Sequence, residues 1–514
     1  MQTAKQEKKV LLRVSNLKQY FPLKKKGLFV RANDGITLDI YEGETFGLVG
    51  ESGCGKSTLG RTLLQLYRQT DGRTMYYGRS LDEIAPRYVE RTLKSIDKRR
   101  AKWKELKKHA EAVRREYDAM PDGEEKYKKH NDVARAQKEE NDALLDMANL
   151  LGGFVALEDM REPVALLLQE YALSASRKKA RARRKDVQLD LDDAAFRLEK
   201  KDAGESRLQA RIDKLTHKAE GIDAEIAGLD GRLAEVRAQL DALRAPHMDD
   251  PEFARYEALR DEGIDLARLE YPEIRLLRSD LQLIFQDPYS ALNPRMTVGN
   301  IIGEGLLAHG FFKRNDERMQ QYIVKTMEDA GLASYFLHRF PHQFSGGQRQ
   351  RIGIARSLAV KPKFVVCDEA VSALDVSIQS QIINLLHDLK EQSGLTYLFI
   401  THDLSVVKYI SDRIGVMYLG NMVELAPTQE LFDHPRHPYT EALMAAIPTT
   451  DIDADKELRI LEGDIPSPVN PPKGCKFHTR CSRCQEVCRH AVPEWVEIAP
   501  DHFVACHFPL GTED

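Results

Sequence analysis

A glycine-rich loop near the N-terminus constrains this chain more than any other feature. Residues 50–57 read Gly-Glu-Ser-Gly-Cys-Gly-Lys-Ser and fit the pattern G-x-x-x-x-G-K-[ST]. The apolar run Thr45–Val49 before the loop predicts a short buried strand, and the sequence after it predicts a helix from Lys56 to about Tyr67. Between a strand and a helix, such a loop wraps phosphate groups with its backbone N–H groups, and the helix N-terminus adds its positive end. The chain is therefore predicted to contain an α/β domain that binds a nucleotide.

The loop also assigns roles to individual residues. Lys56 is predicted to reach the β- and γ-phosphates of ATP, and Ser57 to hold Mg²⁺. The residues predicted to contact ATP here are Gly50, Glu51, Ser52, Gly53, Cys54, Gly55, Lys56, Ser57 and Thr58.

Two acidic residues follow a second apolar run. Phe364–Cys367 predicts a buried strand that ends in Asp368 and Glu369, and Tyr397–Thr401 predicts another after the helix Ser377–Glu391. This alternation of strand and helix predicts a parallel sheet, whose ligands lie at the carboxyl ends of the strands. Asp368 is predicted to hold Mg²⁺, and Glu369 to polarise an attacking water.

The segment Phe-Ser-Gly-Gly-Gln at residues 344–348, continued by Arg349–Arg356, resembles the signature of ABC ATPases. Gln286 resembles the glutamine of that family's Q-loop, Asp375 lies in a segment similar to its D-loop, and His402 resembles its switch histidine. The resemblance implies catalytic roles for Glu369, His402 and Gln286, with Gln286 also holding Mg²⁺. It further implies ATP contacts from Phe21, Ser345, Gly346, Gly347, Gln348 and Asp375.

The resemblance also implies a mechanism. Two such domains face head to tail and enclose two ATP molecules, each on the phosphate loop of one domain and beneath Ser345–Gln348 of the other. Catalysis then consists of positioning and charge stabilisation, completed on closure.

A highly charged stretch interrupts this domain between about Ile84 and Tyr271. Apolar residues from Leu208 to Leu243 recur at alternating spacings of four and three, which is the heptad pattern of a coiled coil, and a weaker pattern runs from Ile96 to Tyr117. The two patterns predict one antiparallel hairpin, with the more apolar Leu144–Leu173 as a small helical head at its tip. Loosely packed amphipathic helices are the alternative.

The C-terminal part resembles a particular branch of the family. Asp287–Val298, His437–Pro448 and the cysteine-rich tail resemble segments of the ATPase subunits of oligopeptide and dipeptide importers, most closely the F-type subunit. The likeness covers roughly residues 9–85 and 272–510, and nickel importers share much of it. The resemblance implies uptake of a peptide, with nickel or another small solute as an alternative cargo.

Five of the seven cysteines lie between Cys475 and Cys506. The resemblance implies that Cys475, Cys481, Cys488 and Cys506 hold an iron–sulfur cluster, and four thiolates suit a [4Fe–4S] centre. Cys484 departs from the family's pattern. It adds a C-x₂-C pair that also suits zinc, with His478 or His507 as further ligands. Reduced thiols in a small folded tail are the third interpretation.

These observations predict four segments: the ATPase domain in two parts (1–85 and 272–430), the helical insertion (86–271) and the C-terminal extension (431–514). With no stretch of about twenty apolar residues, the chain is expected at the cytoplasmic face of a membrane, docked on other proteins. The resemblance implies two transmembrane permease subunits, a second ABC ATPase as heterodimer partner and, indirectly, an extracytoplasmic substrate-binding protein.

A rival interpretation is a soluble ABC ATPase that acts on nucleic acid through its coiled-coil arm. The basic run 177–185 favours it, whereas the formal charge of −4, from 76 basic and 80 acidic residues, gives no general attraction to nucleic acid. An interaction arm on an importer, which binds an unknown partner, is the preferred interpretation of the insertion.

Overall fold

The structure is a computed structural model that describes residues 8–121, 123–200, 205–314, 316–445 and 463–511. In these ranges twelve strands form two sheets. The strands are β1 (Val10–Pro22), β2 (Phe29–Tyr41), β3 (Thr45–Val49), β4 (Asp71–Tyr76), β5 (Ile264–Asp265), β6 (Leu281–Ile284), β7 (Phe364–Asp368), β8 (Thr396–Ile400), β9 (Arg413–Tyr418), β10 (Asn421–Pro427), β11 (Val496–Ala499) and β12 (His502–Val504).

The same ranges contain eighteen α-helices. They are α1 (Lys56–Leu63), α2 (Leu81–Ile84), α3 (Arg87–Lys94), α4 (Ile96–Asp118), α5 (Glu124–Leu151), α6 (Arg161–Glu199), α7 (Glu205–Arg244), α8 (Pro251–Glu257), α9 (Tyr271–Leu277), α10 (Pro288–Ala291), α11 (Val298–Ala308), α12 (Glu317–Asp329), α13 (Gly346–Leu358), α14 (Val376–Ser393), α15 (Leu404–Ile410), α16 (Thr428–Asp433), α17 (Pro438–Ala445) and α18 (Glu486–His490). None of these described helices is both long enough and apolar enough to cross a membrane.

The main sheet has the order β11-β12-β10-β9-β3-β8-β7-β6. The five consecutive strands β9, β3, β8, β7 and β6 are parallel, and every residue of β3, β7 and β8 is buried. Continuous apolar runs of this kind suit parallel strands covered on both faces. The parallel sheet predicted from the sequence is therefore present, and the carboxyl ends of β6, β7 and β8 lie side by side.

The second sheet is antiparallel, in the order β2-β1-β4-β5, and shares a core with the main sheet. Asp71–Tyr76 begins with Asp-Gly, which is typical of a turn, but it forms the single strand β4. The turn-forming Gly72 lies instead opposite a register shift of β1, with φ +84 and its Cα facing the carbonyl of Asn16. A bulge needs the same backbone freedom as a turn.

The C-terminal tail, although rich in cysteine, contains regular structure. β12 pairs with β10 and β11 pairs with β12, so the tail extends the main sheet. Of the segment His437–Pro448, residues 446–448 lie outside the described residues.

The charged insertion forms a helical arm, α4–α8, that contains two hairpins instead of the predicted one. Helix α4 pairs with α5 through Val113, Val133 and Ala136, whereas α6 pairs with α7. Each apolar seam is covered by its neighbour in the chain, because a short connection makes that neighbour the nearest antiparallel partner. The supercoiling of a coiled coil remains a prediction.

The apolar segment Leu144–Leu173 is not a head at the tip of the arm. Its residues pack with Leu93 and Ile96, at the start of the arm, and with the C-terminal part of α7. Phe154 meets Phe253 of α8 edge to face, with ring centroids 6.0 Å apart. This cluster therefore forms the base of the arm, where it joins the rest of the protein.

The basic run 177–185 is largely occupied by contacts within the chain. Arg177 is buried and binds Asp82 of α2 and Asp230 of α7, while Arg184 binds Asp223 at 2.8 Å. Further contacts join Lys178 to the carbonyl of Ile84, Arg183 to Glu225, and Lys185 to the carbonyl of His309. These bonds join α6 to α7 within the arm. They also attach the arm to α2 and to the end of α11.

The arm also touches two other parts of the molecule. Asp190 and Asp192 of α6 pair with Lys313 (2.6 Å) and Arg318 (3.2 Å) beside α12. Asn131 of α5 donates to the carbonyl of His490 at 3.1 Å. The arm therefore lies against both the α11–α13 helical region and the C-terminal extension.

We predict that Asp82→Asn weakens the attachment of the arm. Burial raises the pKa of Asp82, but hydrogen bonds from Ser80 and Arg177 outweigh that effect and lower it to about 2. A depressed folded pKa adds stability above the unfolded value near 3.8, and this stability is lost as the pH falls towards 2. Asp82→Asn should therefore lower the free energy of unfolding by about 1–3 kcal/mol at pH 7.

Chemical unfolding at pH 7 and pH 3 tests this prediction. The free energies of unfolding of the parent protein and Asp82→Asn should differ less at pH 3 than at pH 7. At pH 3 the charged form of Asp82 contributes less stability, because the unfolded chain binds more protons there than the folded one. Asp132→Asn is the control, because Asp132 is an exposed residue of the arm paired with Arg135. Equal stability of Asp82→Asn and the parent at pH 7 would contradict the anchoring role.

Candidate nucleotide-binding site

The phosphate loop joins β3 to α1 and depends on its glycines. Gly50, Gly53 and Gly55 all have positive φ angles, of +148, +80 and +104. A Cβ on Gly55 would lie 2.1 Å from the carbonyl oxygen of Ala32, and one on Gly50 would lie 2.2 Å from that of Met417. Only glycine fits at these two positions, so the backbone curves closely enough to surround a phosphate.

Lys56 begins α1 and folds back over this loop. Its side chain is buried, and Nζ donates to the carbonyls of Gly50 at 2.8 Å and Glu51 at 3.1 Å. The ammonium therefore lies beside the backbone N–H groups of the loop and the N-terminus of α1. This donor set fits the phosphates of a nucleotide.

The two residues predicted to hold Mg²⁺ lie next to each other. Ser57 Oγ donates to Asp368 Oδ1 at 2.6 Å, and Asp368 is 1% exposed at the end of β7. A hydroxyl and a carboxylate beside a phosphate site form the all-oxygen donor set that Mg²⁺ prefers. Sequence reasoning missed Arg61, whose Nη2 donates to the other oxygen of Asp368 at 3.1 Å. Its position one helical turn after Ser57 was the available signal.

The predicted catalytic residues meet at the ends of three adjacent strands. Gln286, after β6, donates from Nε2 to Glu369 Oε2 at 2.6 Å. His402, after β8, has Nδ1 3.7 Å from Glu369 Oε1. Glu369 has φ +49, and its N–H donates to the carbonyl of Ile400 at 2.9 Å, which fixes the turn after β7. Glu369 therefore lies at the carboxyl ends of the parallel strands, the same side of the sheet on which the phosphate loop follows β3.

The signature segment, Ser345–Gln348, lies at the start of α13 and not on the strand ends that carry the other site residues. Ser345 caps α13 in a reciprocal box with Gln348, at 3.3 and 3.1 Å. A Cβ on Gly347 would lie 2.5 Å from Ile378 of α14, whose N-cap is the exposed Asp375. In the described ranges, no hydrogen bond of Ser345–Gln348 reaches the phosphate loop.

Phe21 lies at the end of β1 and is partly buried. It packs edge to face against Tyr67, with ring centroids 5.3 Å apart. Its contact with an adenine stays a prediction.

Comparison with known families identifies the family to which this chain belongs. The sequence profile of the ABC transporter family matches residues 33–217 and 256–372, which is more than half of the chain. This chain belongs to the ABC transporter family. It is the ATP-binding, ATP-hydrolysing component of such a system. The phosphate loop, Gln286, Asp368 and Glu369 lie within the matched ranges, whereas His402 lies outside them.

A second family profile, described as the C-terminal region of oligopeptide/dipeptide transporters, matches residues 423–488 of this ABC protein. The oligopeptide transport ATP-binding protein AppF of Bacillus subtilis is 49% identical over 251 residues, which are 48% of this chain and 75% of AppF. A putative peptide import ATP-binding protein of Brucella ovis is 52% identical over 48% of this chain and 77% of its own length. The putative oligopeptide transport protein YkfD of B. subtilis is 44% identical over 61% of this chain and 93% of its own.

Four cysteines of the C-terminal extension line one small pocket. Cys475, Cys481, Cys488 and Cys506 share it with His478 and His507, whereas Cys484 is absent from its lining. Burial raises the pKa of Cys475 to about 12 and that of Cys506 to about 11. In the part of the chain that the structure describes, no three of the His, Cys, Asp and Glu side chains are drawn together as ligands of one ion. The iron–sulfur and zinc interpretations therefore remain predictions.

Proposed function

We propose that this ABC ATPase energises the uptake of oligopeptides or dipeptides through two transmembrane permease subunits. The observation that carries the proposal is the match of residues 423–488 to the C-terminal region of oligopeptide/dipeptide transporters. The relatives named above as peptide import proteins support it. The alternative function, an ABC ATPase that acts on nucleic acid, loses its main support. The basic run 177–185 on which it depended is bound within the chain.

Co-purification from the native cell tests this proposal. The tagged protein is extracted from membranes in mild detergent, and the proteins that accompany it are identified. Two multispanning permeases and a second ABC ATPase are expected, with the complex at the cytoplasmic face. Recovery with nucleic acid and no membrane protein would overturn the proposal.

In the proposed reaction, ATP lies on the phosphate loop, with Lys56 beside its β- and γ-phosphates. Ser57 and Asp368 would hold Mg²⁺, which neutralises charge on the phosphates when bound. Glu369 accepts a hydrogen bond from the attacking water and withdraws its proton, while Gln286 and His402 hold that carboxylate in place. Among the described residues, Ser345 and Gln348 form no hydrogen bond to the loop of their own chain. They are therefore available to cover the ATP of a partner domain, with Asp375 at the same face.

We propose narrower bounds for the insertion than 86–271. Strand β5 pairs with β4, and Tyr88, Ile264 and Leu266 belong to the core shared by the two sheets. Removing 86–271 would therefore remove a strand of the cassette. A deletion of residues 96–258 with a short linker keeps that strand. It tests the interaction-arm proposal, since unchanged uptake and unchanged partners would make the arm dispensable.

We also propose that the cysteine pocket holds a [4Fe–4S] cluster. The support is that the four cysteines implied by the family resemblance, and not Cys484, line a single pocket. Such a cluster would supply four iron–thiolate bonds that cross-link the extension and keep otherwise protonated thiols ionised.

Iron analysis of protein purified without oxygen tests this assignment. We expect about four iron atoms per chain, loss of iron in Cys481→Ser, and retention in the control Cys484→Ser. Zinc in place of iron, or equal iron in both variants, would contradict the cluster.

A further inference from the structure

The C-terminal extension lies directly against the phosphate loop. Lys476, between Cys475 and Phe477, donates from Nζ to Asp34 Oδ2 at 3.0 Å and to the carbonyl of Leu419 at 3.1 Å. The ring of Phe477 is buried and meets the ring of Tyr418 edge to face, with centroids 5.2 Å apart. The extension is thus fixed to β2 and β9, the strands whose Ala32 and Met417 carbonyls lie close to the loop glycines Gly55 and Gly50.

Two residues of this region hold the second residue of the loop. Arg480 donates from Nη1 and Nη2 to the carboxylate of Glu51, at 2.8 and 3.1 Å. Tyr439 of α17 accepts a hydrogen bond from the N–H of Glu51 at 2.9 Å. The Arg480 side chain is only 4% exposed and that of Glu51 is 23% exposed, so this two-fold bond is partly shielded and is stronger than a fully exposed ion pair.

Glu51 connects these contacts to the nucleotide site. Its carbonyl, with that of Gly50, accepts from Lys56 Nζ. Gly50 packs closely against β9, since a Cβ there would lie 2.2 Å from the carbonyl oxygen of Met417. A loop clamped at Glu51 therefore keeps both its curvature and the position of Lys56.

We infer that Arg480 and Tyr439 are positioning residues of the ATPase, which hold the phosphate loop in its nucleotide-binding shape. The affinity of the site for ATP is then set in part by the C-terminal extension and not by the cassette alone. A preorganised loop binds phosphates without first losing conformational freedom, so loss of the clamp weakens binding before it slows chemistry.

The test compares Arg480→Met, Tyr439→Phe and the control Arg489→Met in the full chain. Arg489 is an exposed arginine of the same extension, paired with Glu486. For Arg480→Met we expect the Kd for ATP and the KM to rise on the order of tenfold, with a smaller change in kcat. Tyr439→Phe, which lacks only one hydroxyl, should show a smaller rise in Kd, and the control none.

Thermal unfolding without nucleotide separates positioning from folding. If Arg480→Met unfolds more easily, the Kd is measured at a temperature where the variant is fully folded. A raised Kd there, with a smaller rise for Tyr439→Phe and none for Arg489→Met, supports the clamp. Unchanged Kd in both folded Arg480→Met and folded Tyr439→Phe would overturn it.

Discussion

Glu369→Gln should abolish ATP hydrolysis while ATP binding persists. Glu369 receives a hydrogen bond from Gln286 and faces His402, and an amide cannot accept the proton of the attacking water. Loss of a general base costs about 10²- to 10⁴-fold in rate. The protein should retain bound nucleotide, because Lys56, Ser57 and Asp368 are untouched.

Phosphate release and nucleotide binding, measured on the same preparation, check this prediction. Glu391→Gln is the matched control, since Glu391 is an exposed residue of α14 with the same substitution. Hydrolysis by Glu369→Gln at the parent rate would remove Glu369 from the mechanism. Loss of ATP binding would show instead that the turn after β7 has collapsed.

Of the single substitutions proposed for this protein, Arg413→Met should cause the largest decrease in the free energy of unfolding. Arg413, at the start of β9, is 3% exposed and donates to both oxygens of Glu44, at 3.1 and 2.9 Å. It also donates to the carbonyl of Asp39 and lies over the ring of Tyr41. Without it, Glu44 is left buried beside the start of β3, whose end carries the phosphate loop.

Removing one partner of a buried ion pair costs about 3–5 kcal/mol, because the other charge remains without compensation. Urea unfolding measures this change. Arg13→Met is the control, since Arg13 pairs with the carboxylate of Asp39 on the surface and should cost less than about 1 kcal/mol. Adding Glu44→Gln to Arg413→Met should recover part of the loss. Similar stabilities for Arg413→Met and Arg13→Met would contradict the argument.

The sequence indicated which residues lie together at the candidate nucleotide site because their signals are local, while their roles remain predictions. The phosphate loop, the acids after β7 and the strand-end residues each follow an apolar run, and parallel strands bring their carboxyl ends to one edge. The meeting of Gln286, Glu369 and His402 follows from the order β8-β7-β6. The roles given to Phe21 and Asp375 are not tested by any contact in the structure and remain predictions.

The helical arm shows where a periodic pattern stops being informative. A heptad seam predicts that a helix will be covered on one face, and the two seams were present in α4 and α7. The pattern does not say which helix covers it. The short connections of the chain gave each seam its neighbour, and the apolar stretch between them became the base of the arm.

The sequence by itself determined the ABC cassette, its order of motifs and the kind of site it forms, because each motif is a short segment whose chemistry and backbone geometry are local. Only the tertiary structure decided the partners of charged residues that are far apart. Arg413 and Glu44 are 369 positions apart, and Arg480 and Glu51 are 429 apart. No local sequence pattern around either arginine predicts which acidic residue it pairs with. The pairing is set by burial in a packed core, where a charge must find a partner among whatever residues the fold brings beside it.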